Sequence, residues 1–216
     1  TNDVAISLDA LTGIVRIDGD RVTVRGGTRL FDLNTALQAR GLAMPILGSI
    51  DHQSIAGAIA TGTHGSSRHH GNLSSLVRGM RLVTSSGDVL ELSENDPRLD
   101  AARVHLGAMG VVTEVTLQTV PAFHLRETIT PMAIDDAVDQ LEELSLSAEF
   151  VKIWWLPHTG RAIVFRADRT EQPSTFSPSQ RWVDEHVVNR VAFRAILAAG
   201  RWVPNLIPAL NQVVGA

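Results

Sequence analysis

The sequence predicts an α+β fold, on three observations. Strand-period and helix-period segments follow one another without the regular β-α alternation of a doubly wound sheet. No G-x-G-x-x-G follows a strand and no G-x-x-x-x-G-K-[ST] occurs, so a Rossmann or P-loop domain lacks its motif. The composition shifts near residues 121–130, beyond which the tryptophans and a proline-bearing stretch lie. A chain of 216 residues, 44% hydrophobic and 19% charged, has the length and composition to bury a real core.

Taken in order, residues 4–8 and 14–17 read as short strands. Arg21 to Arg25 alternates polar and apolar residues, as a half-buried strand does, and Gly26-Gly27 ends it. Thr28 is the expected cap of a helix that buries Leu30, Leu33 and Leu37 and stops at Gly41. Ser54 reads as the N-cap of a second helix built from small residues. Val77 to Thr84 and Val89 to Leu92 form a hairpin across Ser85-Ser86-Gly87-Asp88. Asp96-Pro97 opens a helix with Leu99, Ala102 and Leu106 inside, broken by Gly107 to Gly110. Val111, Thr113, Val115, Leu117 and Thr119 are expected on one face of the next strand.

Beyond the shift, Phe123 to Thr130 reads as a strand. Ile134, Val138, Leu141 and Leu144 read as one amphipathic helix. Phe150 to Leu156 and Arg161 to Arg166 pair across a turn at His158-Thr159-Gly160, with one tryptophan of Trp154-Trp155 expected in the core and the other outside. Thr170 to Ser179 is a loop, and Val183, Val187, Val191 and Ala195 mark a helix.

Charge and composition exclude several functions. A net charge of −4 gives no attraction for nucleic acid or anionic lipid. No apolar run reaches membrane-spanning length. Without cysteine there is no disulfide, thiolate metal site or cysteine nucleophile, which is compatible with the expected cytoplasmic location.

The stretch Gly48 to Ser67 carries what chemistry there is. Glycines and alanines let backbone or ligand approach closely, and Ser49, Ser54, Thr61, Thr63, Ser66 and Ser67 offer hydroxyls. The first turn after Ser54 offers backbone N–H groups to an anion. His52, His64, His69 and His70 lie close in sequence beside Asp51, but their spacing matches no metal motif, so loop histidines are the simpler reading and no metal is expected. Thr63-His64-Gly65-Ser66 lacks the G-x-S-x-G elbow of a serine hydrolase. A dinucleotide cradle needs polar donors, small residues and an apolar strand edge; Gly48 to Thr63 supplies the first two and Gly110 to Thr113 the last. A tightly packed glycine-rich crossing fits the same residues.

Four ordered segments resemble the sugar-lactone oxidases, the group of D-arabinono-1,4-lactone, L-gulono-1,4-lactone and alditol oxidases within the vanillyl-alcohol-oxidase flavoproteins. They are Val22-Thr23-Val24-Arg25-Gly26-Gly27-Thr28-Arg29-Leu30, Gly48 to Gly65, Leu106 to Leu117, and Phe150-Val151-Lys152-Ile153-Trp154-Trp155-Leu156-Pro157-His158-Thr159. The resemblance implies an FAD-binding domain over residues 1–122 and the start of a substrate domain over 123–216. It implies oxidation of a sugar 1,4-lactone or polyol by hydride transfer to flavin N5, with electrons passed to oxygen or another acceptor. By position it implies FAD contacts from Ser49, Ser54, Gly57, Ala58, Ile59, Ala60 and Thr61, with Val111 and Val112 beside the adenine. The resemblance leads one to expect the family's Gly-x-Gly-His-Ser type of loop before Thr1 and the residues that line its substrate site after Ala216. The chain is therefore expected to be a fragment, and it offers no residue to name as catalytic. A non-catalytic module that keeps the flavin scaffold is the alternative, and the oligomeric state is open.

On that reading, these residues expressed alone bind FAD weakly and do not turn over. Losing several charge-assisted hydrogen bonds to a pyrophosphate, each worth about 1.5–3 kcal/mol, weakens binding by on the order of a thousandfold. Purification of the 216-residue chain with stoichiometric yellow flavin would contradict this.

Overall fold

The computed structural model describes residues 5–173, 175, 177, 198 and 200–214. Two compact units divide the chain, residues 1–123 and 124–216. The helix expected over Val183 to Ala195, and residues 174, 176, 178 and 179 of the loop before it, lie outside the described residues.

The first unit is built on a five-stranded antiparallel sheet. In chain order its strands are β1 (Ile14–Asp18), β2 (Arg21–Arg25), β4 (Val77–Val83), β5 (Val89–Ser93) and β6 (Val111–Gln118), and they lie side by side in the order β1-β2-β6-β4-β5. A two-residue strand β3 (Leu42–Ala43) pairs separately with β7 (Val120–Pro121). Three short helices accompany the sheet: α1 (Leu30–Gln38), α2 (Ile55–Ala60) and α3 (Arg98–Arg103). One core unites them, with Val22, Val24, Val115 and Leu117 of the sheet packed among Leu30, Leu33, Leu37, Ile55, Ile59 and Leu99. Each such side chain contributes roughly 1.5–3 kcal/mol on burial.

Several local expectations change. Residues 5–8 form no strand; Leu8 instead opens a turn that Leu11 N closes onto Leu8 O, and Leu11 O accepts from Gly27 N. Thr28 does not cap α1. It is buried, its hydroxyl donating to Arg25 O and accepting from Gly13 N, and Arg29 takes the cap position, its guanidinium bonded to His52 O and Asp9 rather than to the helix. Leu106 is not in the core: it is 74% exposed, with a φ of 52°. The face alternation of β6 breaks at Thr113. The pairing with β4 runs Leu82–Val112 and Arg81–Glu114, so Thr113 is the extra residue of a bulge. Val112 thereby turns inward together with Val115 and Leu117, while Val111 and Thr113 are half-buried.

The second unit has a three-stranded antiparallel sheet, β8 (His124–Ala133), β10 (Arg161–Thr170) and β9 (Phe150–Leu156), with β10 in the middle. The single helix expected after it is two, α4 (Ile134–Asp139) and α5 (Leu141–Leu146), parted at Gln140. That break changes the buried stripe. Ala137 and Leu144 pack on Ala162 and Val164, while Val138 and Leu141 are exposed. Both Trp154 and Trp155 are exposed, so neither is a core residue. A final helix α6 spans Ile207–Val214, and Asn211 Nδ2 donates to Pro157 O at 2.9 Å.

Gly110 tests the packing at the start of β6. Its φ is +123°, and a Cβ there would lie 2.1 Å from Val83 O. G110A is expected to destabilise the unit by about 3 kcal/mol through strain and clash together. G87A, at a φ of +89° with nothing within 4 Å, is expected to cost about 1 kcal/mol from strain alone. Urea unfolding of the two variants measures the difference.

Candidate functional site

The small-residue segment wraps helix α2 and fastens it at both ends. Ser54 caps the helix, its hydroxyl accepting from Gly57 N at 3.3 Å. Ile55 N donates to Thr28 O at 2.8 Å, and Ala56 N donates to Gly26 O at 3.0 Å. At the other end, Ala60 O accepts from Leu106 N at 3.1 Å, and the buried Ser74 hydroxyl donates to Ile59 O at 2.7 Å. Residues 47–49 and 63–65 lie against each other. A Cβ on Gly48 would meet Thr63 Cγ2 at 3.2 Å, and one on Gly65 would meet Leu47 O at 2.5 Å. Gln53 and Thr63 exchange side-chain hydrogen bonds of 3.3–3.4 Å across the same crossing.

Gly26 joins this segment to β6. Its N–H donates to Thr113 O at 2.8 Å while its carbonyl accepts from Ala56. A Cβ at Gly26 would stand 2.2 Å from Val112 O and 3.4 Å from the Ala56 Cβ. The fold therefore brings the start of α2 and the start of β6, far apart in sequence, into one neighbourhood. The loop of residues 104–107 lies at the other end of α2.

The predicted contact residues divide by what they expose. Ser49, Gly57 and Thr61 are exposed, Ser54 and Ala60 intermediate. The Thr61 hydroxyl donates to Gly57 O at 2.9 Å, and the Ser49 hydroxyl meets no partner among the described residues. The side chains of Ala58, Ile59 and Val112 belong to the core, so these residues present only backbone to a ligand. Val111 is half-buried and faces away from Val112.

The expected anion site at the start of α2 is not there. The N–H groups of Ile55, Ala56 and Gly57 are taken by Thr28 O, Gly26 O and Ser54 Oγ. A six-residue helix with its first donors spent has little to give a charged phosphate. The histidines do not converge either. His52 stands edge-on to Phe31 with ring centroids 5.8 Å apart, and His64 Nδ1 lies 2.9 Å from Gly65 O. Among the described residues no group of three metal-ligating side chains forms.

Sequence reading missed His105. It is buried, and its Nδ1 accepts from Gly107 N at 3.0 Å, which assigns the proton to Nε2. Nε2 is buried and meets no acceptor among the described residues. Burial holds the imidazole below its ordinary value of 6.5, because charging it costs solvation and would set a donor against Gly107 N–H. Nothing in the composition of Val104-His105-Leu106 distinguishes a buried histidine from a loop one.

Comparison with known proteins gives a consistent picture. Residues 1–93 match the family described as FAD binding domain, and residues 115–216 match the D-arabinono-1,4-lactone oxidase family. A D-arabinono-1,4-lactone oxidase of Eremothecium gossypii is 34% identical over 99% of this chain and 41% of its own length. An L-gulonolactone oxidase of Scyliorhinus torazame is 34% identical over 99% of this chain and 49% of its own length. A D-arabinono-1,4-lactone oxidase of Candida glabrata is 40% identical over 89% of this chain and 37% of its own length. The chain thus spans less than half the length of these curated relatives. Among solved structures, cholesterol oxidase from Brevibacterium sterolicum superposes with a TM-score of 0.77 at 20% identity, over 95% of this chain and 43% of the other. An alkyldihydroxyacetonephosphate synthase gives 0.65 at 14% identity, over 74% of this chain and 37% of the other. Likeness at such identities speaks for the fold alone.

His105 makes a pH prediction with a definite sign. Its folded-state value lies below its unfolded one, so its stabilising effect is complete above pH 6.5 and is lost as pH falls through the folded value. The slope from this one group is at most about 1.4 kcal/mol per pH unit. Chemical unfolding of the native chain and of H105Q across that range is expected to show the weaker pH dependence in the variant.

Proposed function

We propose, for a chain that belongs to the sugar-1,4-lactone oxidase family, that it forms part of an FAD-dependent oxidoreductase acting on a sugar 1,4-lactone or related polyol. The observation that carries this is the pairing of two matches in one chain: an FAD binding domain over residues 1–93 and a D-arabinono-1,4-lactone oxidase segment over 115–216. Electrons pass on to oxygen or another acceptor.

The residues present fit part of FAD. Gly57, an exposed glycine with only Ser54 Oγ within 4 Å of a would-be Cβ, leaves the outer side of α2 low and open to a flat ligand. Thr61 stands one turn further on the same helix side, next to Ala60. With the first donors of α2 spent inside the protein, this face suits the uncharged ring and ribityl parts of the cofactor better than its pyrophosphate.

In this reading Ser49, Ser54, Gly57 and Thr61 offer side-chain or open backbone contact, and Ala58, Ile59 and Ala60 contribute backbone. Val111 borders the adenine with its half-exposed side chain, and Val112 supports it through the main chain. When bound, the flavin supplies a hydride acceptor at N5. What this chain adds is placement. The Gly26 junction holds the two contact segments at fixed separation, so the cofactor meets a preformed surface rather than ordering one.

Anaerobic mixing of the full-length, FAD-loaded protein with L-gulono-1,4-lactone or D-arabinono-1,4-lactone is expected to bleach the visible flavin band. Failure to bleach with these lactones and with polyols would turn the reading to a non-catalytic flavin scaffold.

A further inference from the structure

The second unit carries a side-chain cluster that the flavin reading does not use. Lys152 is the only lysine among the 216 residues, whereas the other cationic side chains are arginines. It sits in β9 directly opposite Phe165 of β10, with Ile129 of β8 beyond. The next row on the same face is Trp154, Ile163 and Pro131. Lys152 Nζ lies 4.6 Å from the Trp154 ring centroid and 4.4 Å from that of Phe165. The two rings are 4.8 Å apart and tilted by 59°. Trp154 is 50% exposed and Ile129 57%, while the opposite face of β10 is buried at Ala162 and Val164 under α4 and α5.

An ammonium has three N–H donors, and among the described residues no carboxylate or other acceptor meets those of Lys152. Two aromatic faces hold the charge in place but take none of its hydrogen bonds. Whatever covers this face must therefore bring oxygen acceptors to the ammonium and an apolar surface to the indole. A small inorganic anion meets the first demand and leaves Trp154 bare. A sugar ring meets both, because its C–H face packs on an aromatic ring while its oxygens project from the edge. Lysine suits such a ligand better than arginine: its three donors rotate to follow hydroxyl and carbonyl oxygens, whereas the guanidinium fork is cut for planar carboxylates and phosphates.

We propose that Lys152, Trp154 and Phe165 form a subsite for a neutral sugar lactone, the ring stacked on Trp154 and a lactone or hydroxyl oxygen accepting from Lys152 Nζ. The choice of lactone rests on the functional reading above. Within that reaction these are positioning residues, which bind and orient the substrate.

Two measurements on the full-length, FAD-loaded protein test the subsite. Lysines are dimethylated with isotopically labelled formaldehyde, and the resonance missing from K152M is that of Lys152. Titration with L-gulono-1,4-lactone is expected to shift that resonance saturably, while sodium phosphate leaves it in place. In steady state, K152M and W154A are expected to raise KM for the lactone about tenfold at similar kcat and unchanged flavin content, as for loss of one charge-assisted bond or one stacking face. K152R is expected to recover part of the loss. An unshifted resonance, or a KM unchanged in both K152M and W154A, would overturn the subsite. Phosphate shifting the resonance as strongly as the lactone would overturn the choice of ligand. Bleaching of the flavin by lactone without a Lys152 shift removes the subsite and leaves the oxidation reading standing. A saturable shift without bleaching does the reverse.

Discussion

The backbone of Gly26 is the contact on which the first unit depends. Its N–H is bonded to β6 and its carbonyl to the first turn of α2, and the Val112 carbonyl occupies the space a side chain would need. Three segments meet at one residue without side chains between them. A junction made of main-chain hydrogen bonds at 2.8–3.0 Å fixes distance and angle far more tightly than packed side chains would. The Gly26–Thr113 bond continues the unbroken β2–β6 register by one pair, while the bulge at Thr113 interrupts only the β4 side and turns Val112 into the core. Any substitution that widens this junction separates α2 from β6 before it disturbs either element.

That geometry has a chemical consequence for α2. A helix start is ordinarily the place where a fold offers N–H groups to an anion. Here the junction consumes them, since Ile55 and Ala56 donate to Thr28 and Gly26, and the Ser54 cap takes Gly57. Structural use and ligand use of those donors compete, and in this fold structural use wins. The outer side of α2 is left with a bare glycine and a threonine whose proton is already given to Gly57 O. Such a surface is shaped by absence of bulk rather than by charge, which favours a flat uncharged group.

What the sequence made legible followed from local chemistry. The strand pattern of Arg21 to Arg25, the Leu30-Leu33-Leu37 stripe and the Ser54 cap each depend on neighbours within a few positions, and each stands in the structure. The misreadings had distant causes. Thr28 looked like a cap but was claimed by Gly13 and Arg25. The face of Val111 was set by a bulge against β4, which no periodicity within β6 encodes. Gly26-Gly27 read as a strand terminator, although the two glycines also marked a close approach of backbones, the other standing meaning of paired glycine. The donor count at α2 was beyond sequence for the same reason: the acceptors lie in residues 26–28, reached only through the fold.

The second unit departs further from its sequence periodicity. In α4 and α5, parted at Gln140, Leu144 is buried as expected, but Ala137 takes the place of Val138 and Leu141, which are exposed. In the sheet, neighbouring tryptophans on β9 were expected to divide between core and surface, and both are outside. Trp155 lies opposite Ala162, on the face that carries the helices, yet is 59% exposed; Trp154 lies on the other face beside Lys152. Period alone gives the side a residue points to, but not whether anything is packed there. An apolar row that also carries a lone ammonium is poorly suited to a protein core, because burying that charge against further side chains without an acceptor costs more than the aromatic faces return. The composition of the face thus argues for an oxygen-bearing cover, and the position of Lys152 between two rings sets where its oxygens must fall.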